Sequence, residues 1–192
     1  MAQVNFRNAT FITSCLTLAD RPKENYPEVI FVGPSNVGKS TLINSLTGQK
    51  IAFSSKKAGK TQLLNYFLID KSFYLVDAPG YGFTAYGSKL DKPFAEMMEP
   101  YFANNGFLKA VFVLSDVRRG VREEEKSMIA YLKEIGVPAI LILTKGDAAR
   151  QSEIALAKKN ADALGVPYLI SKKNENPEAL RRAVVNAIRG KE

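Results

Sequence analysis

Gly33-Pro34-Ser35-Asn36-Val37-Gly38-Lys39-Ser40 stands between an apolar run at residues 29–32 and a helical pattern that sets Leu42, Ile43 and Leu46 on one face. The octet fits G-x-x-x-x-G-K-[ST], and a place between strand and helix is the context that pattern needs. Glycines at 33 and 38 let backbone N–H groups turn inward around a phosphate, and the helix N-terminus adds a favourable field. Lys39 is placed to reach the β- and γ-phosphates of a nucleotide, with Thr41 among the residues that bind it, and the Ser40 hydroxyl to ligate a Mg²⁺ ion. The competing explanation is an ordinary glycine-containing turn, which the flanking pattern disfavours. By itself the octet implies a nucleoside triphosphate, not which base.

Outward from this loop, short apolar runs recur at residues 73–76, 110–114, 139–143 and 168–170. Runs bounded by turn residues and apolar throughout suit parallel strands buried on both faces. Helical patterns separate them. Over 123–135, Met128, Ile129, Leu132 and Ile135 form one stripe, ended by Gly136 and Pro138. Over 152–164 the stripe is Ile154, Ala157, Ala161 and Leu164, closed by Gly165. Asn176-Pro177 opens a last helix carrying Leu180, Val184 and Ile188. Alternation of strand and helix predicts a three-layer α/β domain over 28–192.

One segment breaks the rhythm. Residues 62–69 read as a strand, and only Asp70-Lys71-Ser72 separates it from the strand starting at Phe73. So short a link permits an antiparallel hairpin but not a parallel crossover. The expectation is a mostly parallel sheet with one antiparallel edge strand. Residues 1–27 read as an N-terminal extension packing on the domain. Within it, 10–18 is partly apolar and suits an extra strand, while 20–27 reads as a linker.

The chain has 192 residues and 46% hydrophobic content, enough for a single domain with a sizeable core. No apolar run approaches the roughly 20 residues of a membrane span, and the first fifteen residues lack a signal-peptide pattern. No stable membrane association is expected. A lone cysteine, Cys15, cannot form an internal disulfide, so a cytoplasmic setting is expected. The absence of histidine excludes imidazole chemistry. Lys and Arg total 27 against 19 Asp and Glu, a net charge of +8. Basic residues cluster at Lys56, Lys57 and Lys60, at Arg118, Arg119 and Arg122, at Lys172 and Lys173, and at Arg181, Arg182, Arg189 and Lys191. That balance suits an acidic partner such as RNA; a merely well-solvated surface is the alternative.

Three further loops carry chemistry. Asp77-Ala78-Pro79-Gly80 follows the run at 73–76, where a carboxylate can hold Mg²⁺ through a water and the Gly80 N–H can face a γ-phosphate. Gly59-Lys60-Thr61 lies between the first helix and the hairpin; Thr61 there can ligate the metal with triphosphate bound and release it after hydrolysis. Thr144-Lys145-Gly146-Asp147 follows the run at 139–143. Guanine shows N1–H and N2–H₂ donors on one edge, and a carboxylate at Asp147 can accept both in a charge-assisted fork. Adenine puts a lone pair there instead, leaving a charge unpaired. The Lys145 stem can cover the base face. After the last strand, backbone N–H groups of Ser171-Lys172-Lys173 can meet the guanine O6.

These motifs together resemble the EngB family of ribosome-biogenesis GTPases, in the octet with Ser-Asn-Val at its centre, Gly59-Lys60-Thr61, Asp77-Ala78-Pro79-Gly80-Tyr81-Gly82, and Thr144 in place of the commoner Asn. The likeness runs over nearly the whole chain. It implies a Ras-like P-loop fold, GTP and GDP as ligands with Mg²⁺, and a role in assembly of the large ribosomal subunit with rRNA contact. It also implies a part in cell division and septation. A monomer is expected.

Hydrolysis needs charge neutralisation and an oriented water. Lys39 and Mg²⁺, held by Ser40, Asp77 and Thr61, supply the first, with the Gly80 N–H on the γ-phosphate. Ras-type proteins place a Gln where this chain has Tyr81, a phenol too weakly basic to serve. Slow turnover, raised by a partner, is therefore expected. Asn36 matches the position at which potassium-activated relatives hold K⁺ beside the phosphates; bonding to the loop backbone is the alternative. Two rival functions stay open. One is a regulatory GTP-binding module for a protein or membrane partner, and the other is a P-loop kinase, in which Asp147 has no task.

Overall fold

The computed structural model describes residues 4–52, 63–81 and 92–190. Gly59, Thr61, Lys191 and the basic cluster at Lys56, Lys57 and Lys60 lie outside them. The strands are β1 (Ala9–Cys15), β2 (Glu28–Val32), β3 (Leu64–Ile69), β4 (Phe73–Asp77), β5 (Leu108–Asp116), β6 (Ala139–Thr144) and β7 (Tyr168–Ile170). The helices are α1 (Lys39–Thr47), α2 (Lys92–Asn104), α3 (Glu123–Glu134), α4 (Gln151–Leu164) and α5 (Glu178–Arg189). The strands form one sheet in the order β1-β3-β4-β2-β5-β6-β7.

Every residue of β2 is buried because the strand is covered on both sides. Ile30 and Val32 face the cluster built with Phe94 and Met98 of α2, Ile129 and Leu132 of α3 and Ala157 of α4. Val29 and Phe31 face Ile43 and Leu46 of α1 and Leu180 and Val184 of α5. Phe31 stacks on Phe112 of β5 at 4.8 Å between centroids. This is the three-layer arrangement that continuous apolar runs imply.

β4, β2, β5, β6 and β7 are parallel neighbours, and β3 runs against β4. Their link is a tight turn in which Asp70 (φ 48°) and Lys71 (φ 50°) are both left-handed and the Ser72 N–H meets the Ile69 carbonyl at 2.9 Å. The antiparallel strand is not itself the edge. β1 pairs antiparallel with it on the outside, from Ala9 opposite Ile69 to Cys15 opposite Leu64, so the sheet ends on β1.

The segment 20–27, expected as a linker, is bound rather than loose. Arg21 grips the fully buried Glu28 carboxylate with two nitrogens at 3.0 and 2.8 Å. The other Glu28 oxygen accepts from Tyr101 Oη and Asn105 Nδ2, each at 2.7 Å. α5 begins at Glu178, with Pro177 rather than Asn176 at its N-cap position. Among the described residues no helix is long and apolar enough to cross a membrane.

Candidate nucleotide-binding site

The loop joining β2 to α1 keeps its shape through its glycines. A Cβ on Gly33 would stand 2.9 Å from Leu114 Cβ of β5, so the loop leaves β2 with no room for a side chain. Gly38 has φ +105° and caps α1, whose first turn holds Lys39, Ser40 and Thr41. Asn36 is also left-handed, at φ 63°, a conformation Asn tolerates better than most residues. Backbone geometry alone therefore accounts for an Asn at this place.

The loop after β4 lies directly on this one. Asp77, only 4% exposed, pairs with the Lys39 ammonium. Burial pushes its carboxyl up, and the Lys39 charge and hydrogen bond offset part of that rise. Pro34 bridges Tyr81, the Ser35 N–H donates to the Tyr81 carbonyl at 2.9 Å, and a Cβ on Gly80 would lie 3.0–3.2 Å from Ser35. Tyr81 itself turns away from the loops. It is fully buried, packs on Phe94 at 5.0 Å, and donates its hydroxyl to Glu125 of α3 at 3.2 Å. Burial and then the Glu125 carboxylate push the phenol well above its ordinary value. It is no base.

The loop after β6 is tied to the phosphate loop twice. Thr144 Oγ1 donates to the Val37 carbonyl at 2.7 Å, and Lys145 Nζ to the Asn36 carbonyl at 2.8 Å. Lys145, left-handed at φ 61°, also meets Asp116 Oδ2 at 2.9 Å. Asp116, at the end of β5, is also gripped by Arg118, whose Nε meets Oδ1 at 2.9 Å and whose Nη2, at 2.7 Å, shares Oδ2 with Lys145. Burial works to raise its carboxyl, but the bonds from Arg118 and Lys145 hold it well below the usual carboxylate range.

The loop after β7 closes the set. The Gly146 N–H donates to the Ser171 carbonyl at 3.0 Å, and the Lys173 N–H to Asp147 Oδ1 at 2.8 Å. That bond leads the causes holding the Asp147 carboxyl below its ordinary value. Ser171 and Lys173 thus sit beside Asp147, whereas Lys172 turns its ammonium toward Glu175 at 3.9 Å.

The sequence-derived set from Gly33 to Thr41, with Asp77, Gly80, Thr144, Lys145, Asp147, Ser171 and Lys173, is therefore one neighbourhood at the C-terminal ends of β2, β4, β6 and β7. Two residues escaped the sequence reading. Asp116 carried one signal, a carboxylate closing an apolar run at a strand end. Gly146, quoted in the motif without a role, carried no further signal: only in the structure does a Cβ there stand 2.7 Å from Ile170 Cγ2, so that glycine alone lets the two loops meet.

Comparison with known proteins agrees with this geometry. Residues 28–145 match the family model described as 50S ribosome-binding GTPase. A probable GTP-binding protein EngB of Aquifex aeolicus is 45% identical over 139 residues, covering 72% of this chain and 76% of that one. Its counterpart in Clostridium perfringens strain SM101 is 38% identical over 166 residues, covering 85% and 84%. The crystal structure of a probable GTP-binding protein engB superposes with a TM-score of 0.60 at 21% identity, covering 85% of this chain and 99% of that one, a likeness of fold. By these relatives and by the loops at its strand ends, the chain belongs to the EngB family of GTP-binding proteins.

Proposed function

We propose that this chain binds GTP and GDP with Mg²⁺, hydrolyses GTP slowly, and uses the cycle as a cytoplasmic switch in assembly of the large ribosomal subunit. It acts as a monomer, contacts rRNA, and supports normal cell division and septation. Residues 28–192 form the GTP-binding domain, on which 1–27 packs. What supports the reading most is the pair of bonds from Thr144 and Lys145 to the phosphate loop, which join the base-reading and phosphate-binding loops into one unit.

The Asp77 carboxylate and Ser40 hydroxyl are hard oxygen donors, and the buried Asp77 charge needs a cationic partner, so the pair fits Mg²⁺. Among the described residues no group of three or more acidic, Cys or His side chains forms a cage; Mg²⁺ ordinarily keeps waters and phosphate oxygens instead. When bound, Mg²⁺ neutralises charge on the β- and γ-phosphate oxygens. Lys39 exchanges its ion pair with Asp77 for the phosphates. The N–H groups of the loop from Gly33 to Ser40 cradle them, and the Gly80 N–H reads the γ-phosphate. Thr61, with Gly59, supplies the switch that senses it. Lys145 lies along the base, Asp147 accepts from guanine N1–H and N2–H₂, and backbone N–H groups at 171–173 take O6. Slow turnover follows from Tyr81, whose hydroxyl is turned into the core toward Glu125.

The test is nucleotide competition on wild type and Asp147→Asn. An amide can donate to the extra carbonyl of xanthine, so the variant should exchange guanine for xanthine preference. Guanine selectivity unchanged in the variant would refute the role given to Asp147.

A further inference from the structure

Both ends of the Lys145 side chain are held. Its backbone is left-handed at φ 61°, and the preceding Thr144 hydroxyl donates to the Val37 carbonyl at 2.7 Å and lies 3.2 Å from the Ser115 carbonyl. Its stem passes over the phosphate loop, where a Cβ on Gly38 would stand 4.0 Å from Lys145 Cε. At the far end the ammonium donates to the Asn36 carbonyl at 2.8 Å and to Asp116 Oδ2 at 2.9 Å.

The sheet puts Asp116 where it can do this. It closes β5 directly opposite Thr144, which closes β6, and the next N–H along, that of Val117, donates to the Thr144 carbonyl at 3.1 Å. The carboxylate and the backbone that carries Lys145 are thus fixed to each other through adjacent strands. Arg118 locks the carboxylate's orientation, with its backbone N–H and Nε on Oδ1 at 3.1 and 2.9 Å and Nη2 on Oδ2 at 2.7 Å. Asp116 is only 5% exposed, and a charge so buried needs cationic partners. Arg118 could satisfy it alone, as a cap on β5; the bond to Lys145 is what ties it to the nucleotide site.

We infer that Asp116 is a positioning residue for nucleotide binding, holding the Lys145 stem extended along the base plane before the nucleotide arrives. A free lysine has many rotamers, and ordering one at the moment of binding costs affinity. Without Asp116 the ammonium keeps only the Asn36 carbonyl, a weaker acceptor than a carboxylate. An aliphatic stem on a ring face does not read the base edge, so Asp116 governs how long a purine nucleotide stays and not which one. The inference rests on the reading above that Lys145 lies along the base, and it names what keeps the lysine there.

Release of N-methylanthraniloyl-GDP from the full chain in Mg²⁺ tests it. Asp116→Asn should speed release about tenfold, the factor that ordering one long side chain carries. In a Lys145→Met background the same change should add little, because the residue it acts through is gone. Arg118→Met, which leaves the pair with Lys145, should act far less than Asp116→Asn. The ratio of GDP to IDP affinity should be the same in Asp116→Asn as in wild type. Equal acceleration in the two backgrounds, Arg118→Met matching Asp116→Asn, or a falling GDP to IDP ratio would each overturn the inference, since Asp116 would then support the turn or the whole loop. A second measurement needs no variant to fold: in nucleotide-free wild type the Lys145 ammonium protons, followed by NMR, should exchange with water far more slowly than those of Lys158, which is exposed. Equal exchange would also overturn it. Lys145→Met releasing GDP as slowly as wild type would instead sink the reading of Lys145 itself, and the inference with it.

Discussion

Asp147 keeps one carboxylate oxygen on the Lys173 N–H at 2.8 Å and stays exposed. Each oxygen has two lone-pair sites, so the bond orients the group without exhausting it. Because the folded-state carboxyl lies below 3.8, the acceptor form persists above that value and is lost only as pH falls through it. IDP lacks the 2-amino donor but shares every phosphate contact. The ratio of GDP to IDP affinity should therefore stay above one and constant between about pH 8 and about pH 5, a range set by the unperturbed carboxylate value. A ratio that decays across that window would remove Asp147 as the reader of the 2-amino group. Asn36 poses a separate question. Its left-handed backbone explains the residue without K⁺, whereas its place in the loop suits a K⁺ ligand. Turnover in KCl several-fold above that in NaCl at equal ionic strength would establish the ligand role; equal rates would leave Asn36 a backbone residue.

At the scale of elements, β2 carries its two tasks at opposite ends. Its C-terminal end releases the phosphate loop, and its first residue, Glu28, is buried among Arg21, Tyr101 and Asn105. Removing one partner of a buried ion pair costs about 3–5 kcal/mol, since the remaining charge is left uncompensated. Arg21→Met should thus lower unfolding free energy by about 3 kcal/mol in denaturant titrations while GDP affinity changes little. A loss under about 1 kcal/mol would mean that Tyr101 and Asn105 suffice. The sequence announced β2, β4, β5 and β6 because burial on both faces leaves continuous apolar runs. It marked β1 more faintly, as a partly apolar stretch over 10–18 that suits an extra strand, because Phe11 and Ile12 are 52% and 40% exposed and no run forms. It hid the Glu28 cluster, whose members come from positions 21, 28, 101 and 105 and meet only through tertiary packing. The phosphate loop was legible because its chemistry is local. Asp116 was not, since its value lies in the partners Lys145 and Arg118.

Across the whole molecule, parallel order places the ends of β2, β4, β6 and β7 at one edge, where open α/β sheets bind ligands. The loops there hold one another: Ser35 to Tyr81, Val37 to Thr144, Gly146 to Ser171. A nucleotide bridging them binds the folded state alone and raises stability by about 2.7 kcal/mol at a hundredfold excess over Kd. Equilibrium competition among GTP, GDP and ATP for the purified chain, in Mg²⁺, measures whether that bridge reads a base. Guanine nucleotides should win by at least about 100-fold, as a site built on hydrogen bonds to its ligand allows. Equal affinity for GTP and ATP would contradict the account at its centre.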